Sequence, residues 1–299
     1  MLQPSSLCFA RRSVLQALAA SAVTGSIPLP LRAFDPPESP AVRQLDVLVV
    51  APHSDDEAIG CTAVILRAIE RQQRVGCVIV TAGDGFPKAA AALMKKDVKE
   101  LTPEDFLALA TLRQRHSIQA MKRIGLQPAD LLFLGYPDGG LASLYATKDD
   151  AVYRQPFTAK TATYGAEVAD YHTSTHGRAA PYQRSAVLSD LTEIIKTRKP
   201  VEIYVTGETD THGDHSATFA FVRDAATAAD YRGTLWTYIV HGRPPAEAPD
   251  RRLELTEAER KAKRSLLELY QSGVSPVHDD LAETYARPEE VFWAVRIEQ

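Results

Sequence analysis

Two short segments of the sequence are rich in histidine and aspartate, residues that bind metal ions and transfer protons. The first segment contains His53, Asp55 and Asp56, and the second contains His212, Asp214 and His215. A catalytic zinc ion takes three protein ligands and keeps a fourth position for water. A carboxylate beside such a metal can take a proton from water, and a spare imidazole can stabilise an oxyanion. Together the two segments indicate a zinc-dependent hydrolase.

The hydrophobic pattern places both segments at the ends of strands. An apolar, β-branched run at 45–50 precedes the first segment, and a strand predicted at 202–206 precedes the second. In an open α/β sheet, ligands bind outside the carboxyl ends of the strands. We therefore expect the two segments to lie together at one edge of a sheet.

Strands alternate with helices along most of the chain. Further strands are predicted at 75–81, 131–134, 235–240 and 291–297, and helices at 57–72, 102–124, 184–197, 215–229 and 256–271. This alternation is typical of an α/β fold, a Rossmann-like three-layer sandwich with a mostly parallel sheet and helices on both faces. Residues 83–95 are predicted to be a loop. Residues 139–182 lack periodicity, and we interpret them as an insertion packed over the mouth of the site.

Structural roles compete with chemical ones for several residues. Ser54 and Glu57 have the spacing of a capping box, which can simply start a helix. Asp55 and Asp56 can likewise be acids of a first helical turn that interact with the helix dipole. The other histidines are predicted to be surface or packing residues, with two in the insertion as candidates for substrate contacts: His116, His241 and His278, and in the insertion His172 and His176.

Composition and charge exclude several classes of protein. The chain has 299 residues, of which 45% are hydrophobic and 24% charged, as in globular proteins. Its net charge is −4 and it has no basic stripe, which argues against a nucleic-acid partner. No run reaches the roughly 20 apolar residues of a membrane span, so the mature chain is predicted to have no transmembrane span.

Residues 1–33 are predicted to be an export signal. Arg11 and Arg12 precede a short, weakly apolar stretch, the segment has no acidic residue, and Ala33 offers a small residue for cleavage. This pattern predicts export by the twin-arginine route to the periplasm. The alternative is an amphipathic N-terminal helix or a tail. Residues 34–40 are predicted to be a stiff linker, and residues 41–299 a single domain.

The two cysteines beyond this signal are predicted to be free, buried thiols. Cys61 lies near the start of a predicted helix, and Cys77 lies in the strand that follows it. A helix of this length would separate them by about 20 Å. That distance is too long for a disulfide.

The two histidine-containing segments resemble the signature of the LmbE/PIG-L family of zinc-dependent N-acetylglucosaminyl deacetylases. That signature is His-Pro-Asp-Asp-Glu after the first strand and His-Pro-Asp-His after a later one. Here the segments read His53-Ser54-Asp55-Asp56-Glu57 and His212-Gly213-Asp214-His215, so both prolines are replaced. The resemblance extends over about residues 45–272.

This resemblance implies a role for each site residue. Three residues would bind one divalent zinc ion: His53, Asp56 and His215. Asp55 would be the general base and then the acid that protonates the leaving amine. His212, held by Asp214, would stabilise the oxyanion, and we expect an imidazolium at His212 to set the basic limb of the pH–rate profile. Arg113 and Asp138 would hold the sugar.

We therefore predict a zinc-dependent hydrolase that removes acetyl from an N-acetylated amino sugar or glycoconjugate. One alternative is a metal-dependent hydrolase of a non-sugar amide, because the insertion can reshape the pocket. Another is a non-catalytic sugar-binding module on the same scaffold. A nucleotide-binding protein is disfavoured, because the turn at 51–60 lacks a glycine-rich phosphate loop.

Overall fold

A seven-stranded sheet organises the molecule. The structure, a computed structural model, describes residues 44–147, 149–274 and 280–297. In chain order the strands are β1 (Val47–Ala51), β2 (Val75–Thr81), β3 (Leu131–Tyr136), β4 (Glu202–Thr206), β5 (Thr234–Tyr238), β6 (Arg251–Glu254) and β7 (Glu289–Val295). Their order across the sheet is β3-β2-β1-β4-β5-β7-β6. Strands β1 to β5 pair in parallel, whereas β7 runs antiparallel to both β5 and β6. The prediction of a mostly parallel sheet is confirmed.

Helices cover both faces of this sheet. They are α1 (Asp56–Glu70), α2 (Pro87–Met94), α3 (Pro103–Arg123), α4 (Leu141–Ala146), α5 (Tyr171–His176), α6 (Arg184–Arg198), α7 (Gly213–Ala228), α8 (Glu257–Gln271) and α9 (Leu281–Tyr285). Successive side chains of β1 point to opposite faces, as the pleat of a strand requires. Val47 and Val49 enter a core with α1 and α8, and Leu48 and Val50 enter a second core with α6 and α7. The three-layer architecture is thus confirmed.

Local sequence explains where several helices begin. Helix α3 begins after a reciprocal capping box between Thr102 and Asp105, with Pro103 at its first position. Helix α8 begins after a second box, between Thr256 and Glu259. Both starts agree with the sequence predictions at 102 and 256.

Several elements differ from the sequence predictions, among them α2 and β6. Helix α2 lies within 83–95, which was expected to be a loop, because Pro87 starts it and its buried Ala89 and Ala90 pack against α3. Strand β6 was not predicted. It is a short strand at the edge of the sheet, and its polar sequence, Arg-Arg-Leu-Glu, gives little hydrophobic signal.

The two described cysteines, Cys61 and Cys77, are free and buried, as predicted. Burial raises the pKa of both thiols, and Cys77 itself contributes to the rise at Cys61. Both side chains face the same core between α1 and the sheet.

Several predictions concern residues outside the described ranges. These are the export signal at 1–33, the linker at 34–40 and His278. Within the described ranges, no helix is both long and apolar enough to cross a membrane.

Candidate active site

The three predicted metal ligands converge at the carboxyl edge of the sheet. Nδ1 of His53 lies 3.1 Å from Nε2 of His215 and 3.2 Å from Oδ2 of Asp56, and the last two atoms are also 3.2 Å apart. All three side chains are buried. His53 and Asp56 follow β1, and His215 lies in the first turn of α7, after the neighbouring strand β4. The two segments therefore meet at one edge, as the sequence indicated.

The turn between β1 and α1 has an unusual backbone at Asp55. Its φ is 113° and its ψ is −30°, a region that L-residues rarely adopt. Glu57 supports this turn, because its carboxylate accepts the backbone N–H of Asp55 at 3.0 Å. The hydroxyl of Tyr270, on α8, donates to the other oxygen of Glu57. The expected capping box between Ser54 and Glu57 is replaced by this arrangement, because the helix begins at Asp56.

Asp55 lies beside the three converging atoms. Nη2 of Arg113 lies 3.5 Å from Oδ2 of Asp55 and donates to the carbonyl oxygen of Ser54 at 3.0 Å. Burial raises the pKa of Asp55 to about 6, although the charge of Arg113 lowers it in part and that of Asp56 raises it further. A carboxylate with such a pKa can both accept and donate a proton near neutral pH.

Asp210, for which no role was predicted, organises the second segment. Its Oδ2 lies 3.3 Å from Nδ1 of His215, on the side of the ring opposite to His53. Its oxygens also accept backbone N–H groups of His212, Val240 and His241. A carboxylate at the far nitrogen of a metal-binding imidazole fixes the orientation of the ring and raises its basicity. In the sequence, the position of Asp210 two residues before His212 was the signal that could have indicated this role.

His212 is held differently from the way the sequence suggested. It is the N-cap of α7, and its Nδ1 accepts the backbone N–H of Asp214 at 3.3 Å. The carboxylate of Asp214 instead accepts the N–H groups of Gly139 and Leu141. Burial and the charges of His53 and His215 lower the pKa of His212 to about 4. His212 is therefore a neutral imidazole with its proton on Nε2, not the expected imidazolium.

Arg113 and Asp138, the two residues expected to hold a sugar, both line the cavity described below. Each also contacts another residue of the site. Arg113 approaches Asp55, as described above. Oδ1 of Asp138 lies 3.0 Å from Nε2 of His53, and its Oδ2 accepts the N–H of Gly85. Asp138 therefore orients His53 as well as facing the pocket.

A cavity of about 390 Å³ opens above these residues. It is lined in part by the polar site residues and His241. The rest of its lining includes a mostly apolar group of residues, here called the apolar wall: Ile59, Phe86, Leu281, Thr284 and Tyr285. A second cavity, of about 450 Å³, opens near the amino ends of β1 and β4, away from the histidine cluster.

Two features of this pocket differ from the sequence analysis. His241 was expected to be a surface or packing residue, yet its ring centroid lies 4.9 Å from that of His215. The insertion at 139–182 was expected over the mouth, but its described residues do not line the cavity. It lies beside the site, where Thr158 donates to Asp84 and Asp84 accepts the N–H of Asp138. Helix α9 takes the place that the insertion was expected to occupy.

The donor set fits a divalent metal ion. Two imidazole nitrogens that face each other at 3.1 Å need a proton or a cation between them. Burial lowers the pKa of His215, but the charge of Asp56 outweighs it and raises that pKa to about 9. A tetrahedral zinc ion with bonds of about 2.1 Å would hold its ligand atoms about 3.4 Å apart. The observed separations of 3.1–3.2 Å are close to that value.

Comparisons with known proteins identify a family. The family model PIG-L, described as GlcNAc-PI de-N-acetylase, matches residues 48–226. This range contains both histidine segments. A comparison with curated protein sequences finds no match.

Solved structures share the fold at low sequence identity. The N,N'-diacetylchitobiose deacetylase of Pyrococcus horikoshii is 18% identical, with a TM-score of 0.51 over 86% of this chain and 84% of that one. The 4-carboxy-2-hydroxymuconate hydratase of Pseudomonas putida KT2440 is 14% identical, with a TM-score of 0.55 over 86% and 99%. A teicoplanin deacetylase in a zinc-inhibited form is 14% identical, with a TM-score of 0.52 over 86% and 99%. One fold thus supports deacetylases and a hydratase.

Proposed function

The chain belongs to the PIG-L family of N-deacetylases, and from this premise we propose that it is a zinc-dependent hydrolase that removes acetyl from an N-acetylated amino sugar or glycoconjugate. The observation that carries this proposal is the meeting of His53, Asp56 and His215 beside Asp55. Fold alone does not decide between reactions, since a hydratase shares it. The family match and the donor set favour amide hydrolysis.

The three converging residues would hold the zinc ion. When bound, zinc would polarise the acetyl carbonyl and lower the pKa of a water molecule. Asp55 takes a proton from the attacking water, as its pKa of about 6 permits. Nε2–H of His212 donates a hydrogen bond to the carbonyl oxygen as negative charge develops there. Asp55 then gives its proton to the leaving nitrogen as the C–N bond breaks, and acetate and a free amine are released.

The remaining site residues position these groups. Arg113 holds the turn of Asp55 through the carbonyl of Ser54. Asp138 orients His53, and Asp210 faces the far nitrogen of His215. We propose that Arg113 and Asp138, which line the cavity, also contact the sugar hydroxyls. Asp214 acts as a positioning residue, through its N–H to His212.

The test is acetate release from a small panel of amides. The panel contains N-acetylglucosamine, N,N'-diacetylchitobiose and a non-sugar N-acetyl amide. It distinguishes a sugar substrate from the alternative of a non-sugar amide. Zinc is titrated from below one equivalent to a large excess, because a structural neighbour is described in a zinc-inhibited form. Chelation should abolish activity and added zinc should restore it. Absence of acetate from every substrate, with zinc bound, would favour the sugar-binding alternative.

We also propose that residues 1–33 direct export to the periplasm. The paired arginines, the acid-free leader and Ala33 support this. N-terminal sequencing of protein from the periplasmic fraction should begin near Phe34. Substitution of Arg11 and Arg12 by lysine should leave the full-length chain in the cytoplasm, and periplasmic arrival of that variant would contradict the proposal.

A further inference from the structure

A second cluster of possible metal ligands lies between α5 and α6. His172 and His176 are four residues apart on α5, so they project from the same side of the helix. Asp190 and Glu193 are three residues apart on α6 and face them. None of the four lines the cavity of the candidate active site.

Each histidine of this cluster already meets a carboxylate. Nδ1 of His172 lies 2.7 Å from Oδ1 of Asp190, and Nε2 of His176 lies 2.9 Å from Oε2 of Glu193. The two imidazole rings have centroids 4.4 Å apart. Three ligand atoms, one from each of the residues His172, His176 and Asp190, lie within 4.8 Å of one another. Two imidazoles and the carboxylate of Asp190 therefore face a common point, and Glu193 contacts the imidazole of His176.

We propose that this cluster is a second divalent metal site, of the zinc class, which fastens α5 to α6. Histidine nitrogens and carboxylate oxygens are ligands of zinc, and four protein ligands are typical of structural sites. Two neutral imidazoles and two carboxylates carry two negative charges, which a divalent cation balances. The ligand atoms, which lie within 4.8 Å of one another, must come to separations of about 3.4 Å, and His176, whose side chain is 36% exposed, has room to rotate.

The surroundings of Asp190 are those of a fixed ligand. Its side chain is 1% exposed, and its second oxygen accepts the hydroxyl of Tyr136 at 2.6 Å. Hydrogen bonds of this kind orient a ligating carboxylate and leave its other oxygen for the metal. Tyr136 ends β3, so the site joins α5, in the insertion, to the sheet as well as to α6.

The experiment is a metal count on untagged, purified protein. The protein is equilibrated with excess zinc chloride, desalted and analysed by mass spectrometry for zinc per chain. The double variant His172→Gln/His176→Gln should bind one zinc ion fewer than the wild type, and Ser174→Ala, an exposed position on the same helix, should bind the same number as the wild type. Asp56→Ala should also lose one, and the combination of all three substitutions should lose both. The first difference is independent of the candidate active site, so it tests this proposal even if the proposed function fails.

Stability and activity give two further measurements. Zinc should raise the Tm of Asp56→Ala but not of the combined variant, because a ligand stabilises only the state that binds it. The double variant should keep the deacetylase activity of the wild type. If the double variant does not fold, Glu193→Gln replaces it and should weaken zinc binding at this site about tenfold or more. Equal zinc content in the wild type and the double variant, or equal zinc affinity in Glu193→Gln, would overturn the proposal.

Discussion

Replacement of Asp55 by asparagine should have two effects: it should slow catalysis and it should stabilise the metal-free fold. Asparagine has nearly the same shape and tolerates a positive φ as aspartate does, so the strained turn is kept while the charge is lost. Burial raises the pKa of this carboxyl from its ordinary value of 3.8 to about 6. A folded-state pKa above the unfolded value means that the folded protein binds the proton more tightly. Stability from this group is therefore present below pH 3.8 and is lost as the pH rises through about 6.

The magnitude follows from the size of that rise. A shift of about two units corresponds to about 3 kcal/mol, which the ionised carboxylate costs the metal-free fold at pH 8. About half of that cost remains at pH 5, because the group is then mostly protonated in the folded state. Asp55→Asn removes the cost, so the variant should gain about 3 kcal/mol at pH 8 and about half as much at pH 5 relative to the wild type.

Urea unfolding of the metal-free protein at the two pH values measures the gain, with exposed Asp149→Asn as the control. With zinc bound, the same variant should keep its metal while kcat falls by about 10²–10⁴, the range for loss of a general base. An Asp55→Asn protein that is no more stable than the wild type at pH 8 would refute the burial argument. Full turnover would refute the role of Asp55 as the base.

Substitutions of the other site residues should differ in their effects on zinc binding, kcat and stability. Asp56→Ala should lose zinc and activity together, as metal analysis and acetate release would show, and full zinc occupancy would contradict its role as a ligand. His212→Ala should keep zinc but lose about 10²–10³ in kcat, and, since His212 is neutral above its pKa of about 4, the wild type should show no loss of activity from its deprotonation near pH 7. Asp210→Asn should weaken zinc binding by about 10–100-fold in competition with a chelator, and unchanged affinity would exclude support of His215. Tyr270→Phe should lower the free energy of unfolding by about 1–3 kcal/mol, because it leaves one oxygen of the buried Glu57 carboxyl without its hydroxyl donor, and an unchanged urea midpoint would contradict this.

The parts of the site that the sequence predicted lie within a few residues of strand ends. Apolar runs located β1 and β4, and the rule for parallel sheets brought His53 and His215 together. Their spacing of 162 residues carries no such information by itself. The alternation of strands and helices was likewise sufficient for the three-layer fold.

What the sequence could not predict depends on packing between distant segments. His241 joins the site because β5 lies beside β4, and its surroundings along the chain contain no motif. Helix α9 has only five residues, too few for a periodic signal, yet it supplies a wall of the pocket. The insertion had no periodicity either, so nothing in it indicated which side of the site it would cover. The tautomer of His212 depends on one backbone hydrogen bond at a helix start.

Helix α9, which lines the cavity, lies in a different part of the chain from the residues proposed for catalysis. The matched family region ends at residue 226, and it contains every residue proposed to bind metal or move a proton. The apolar wall at Leu281 and Tyr285 lies more than fifty residues beyond it. Substitutions in the segment that contains α9 can therefore change which substrate fits the cavity without altering the residues proposed for catalysis. Chimaeras that exchange the segment after β5 between relatives would transfer substrate preference as a module, with turnover of a minimal acetamide left nearly constant.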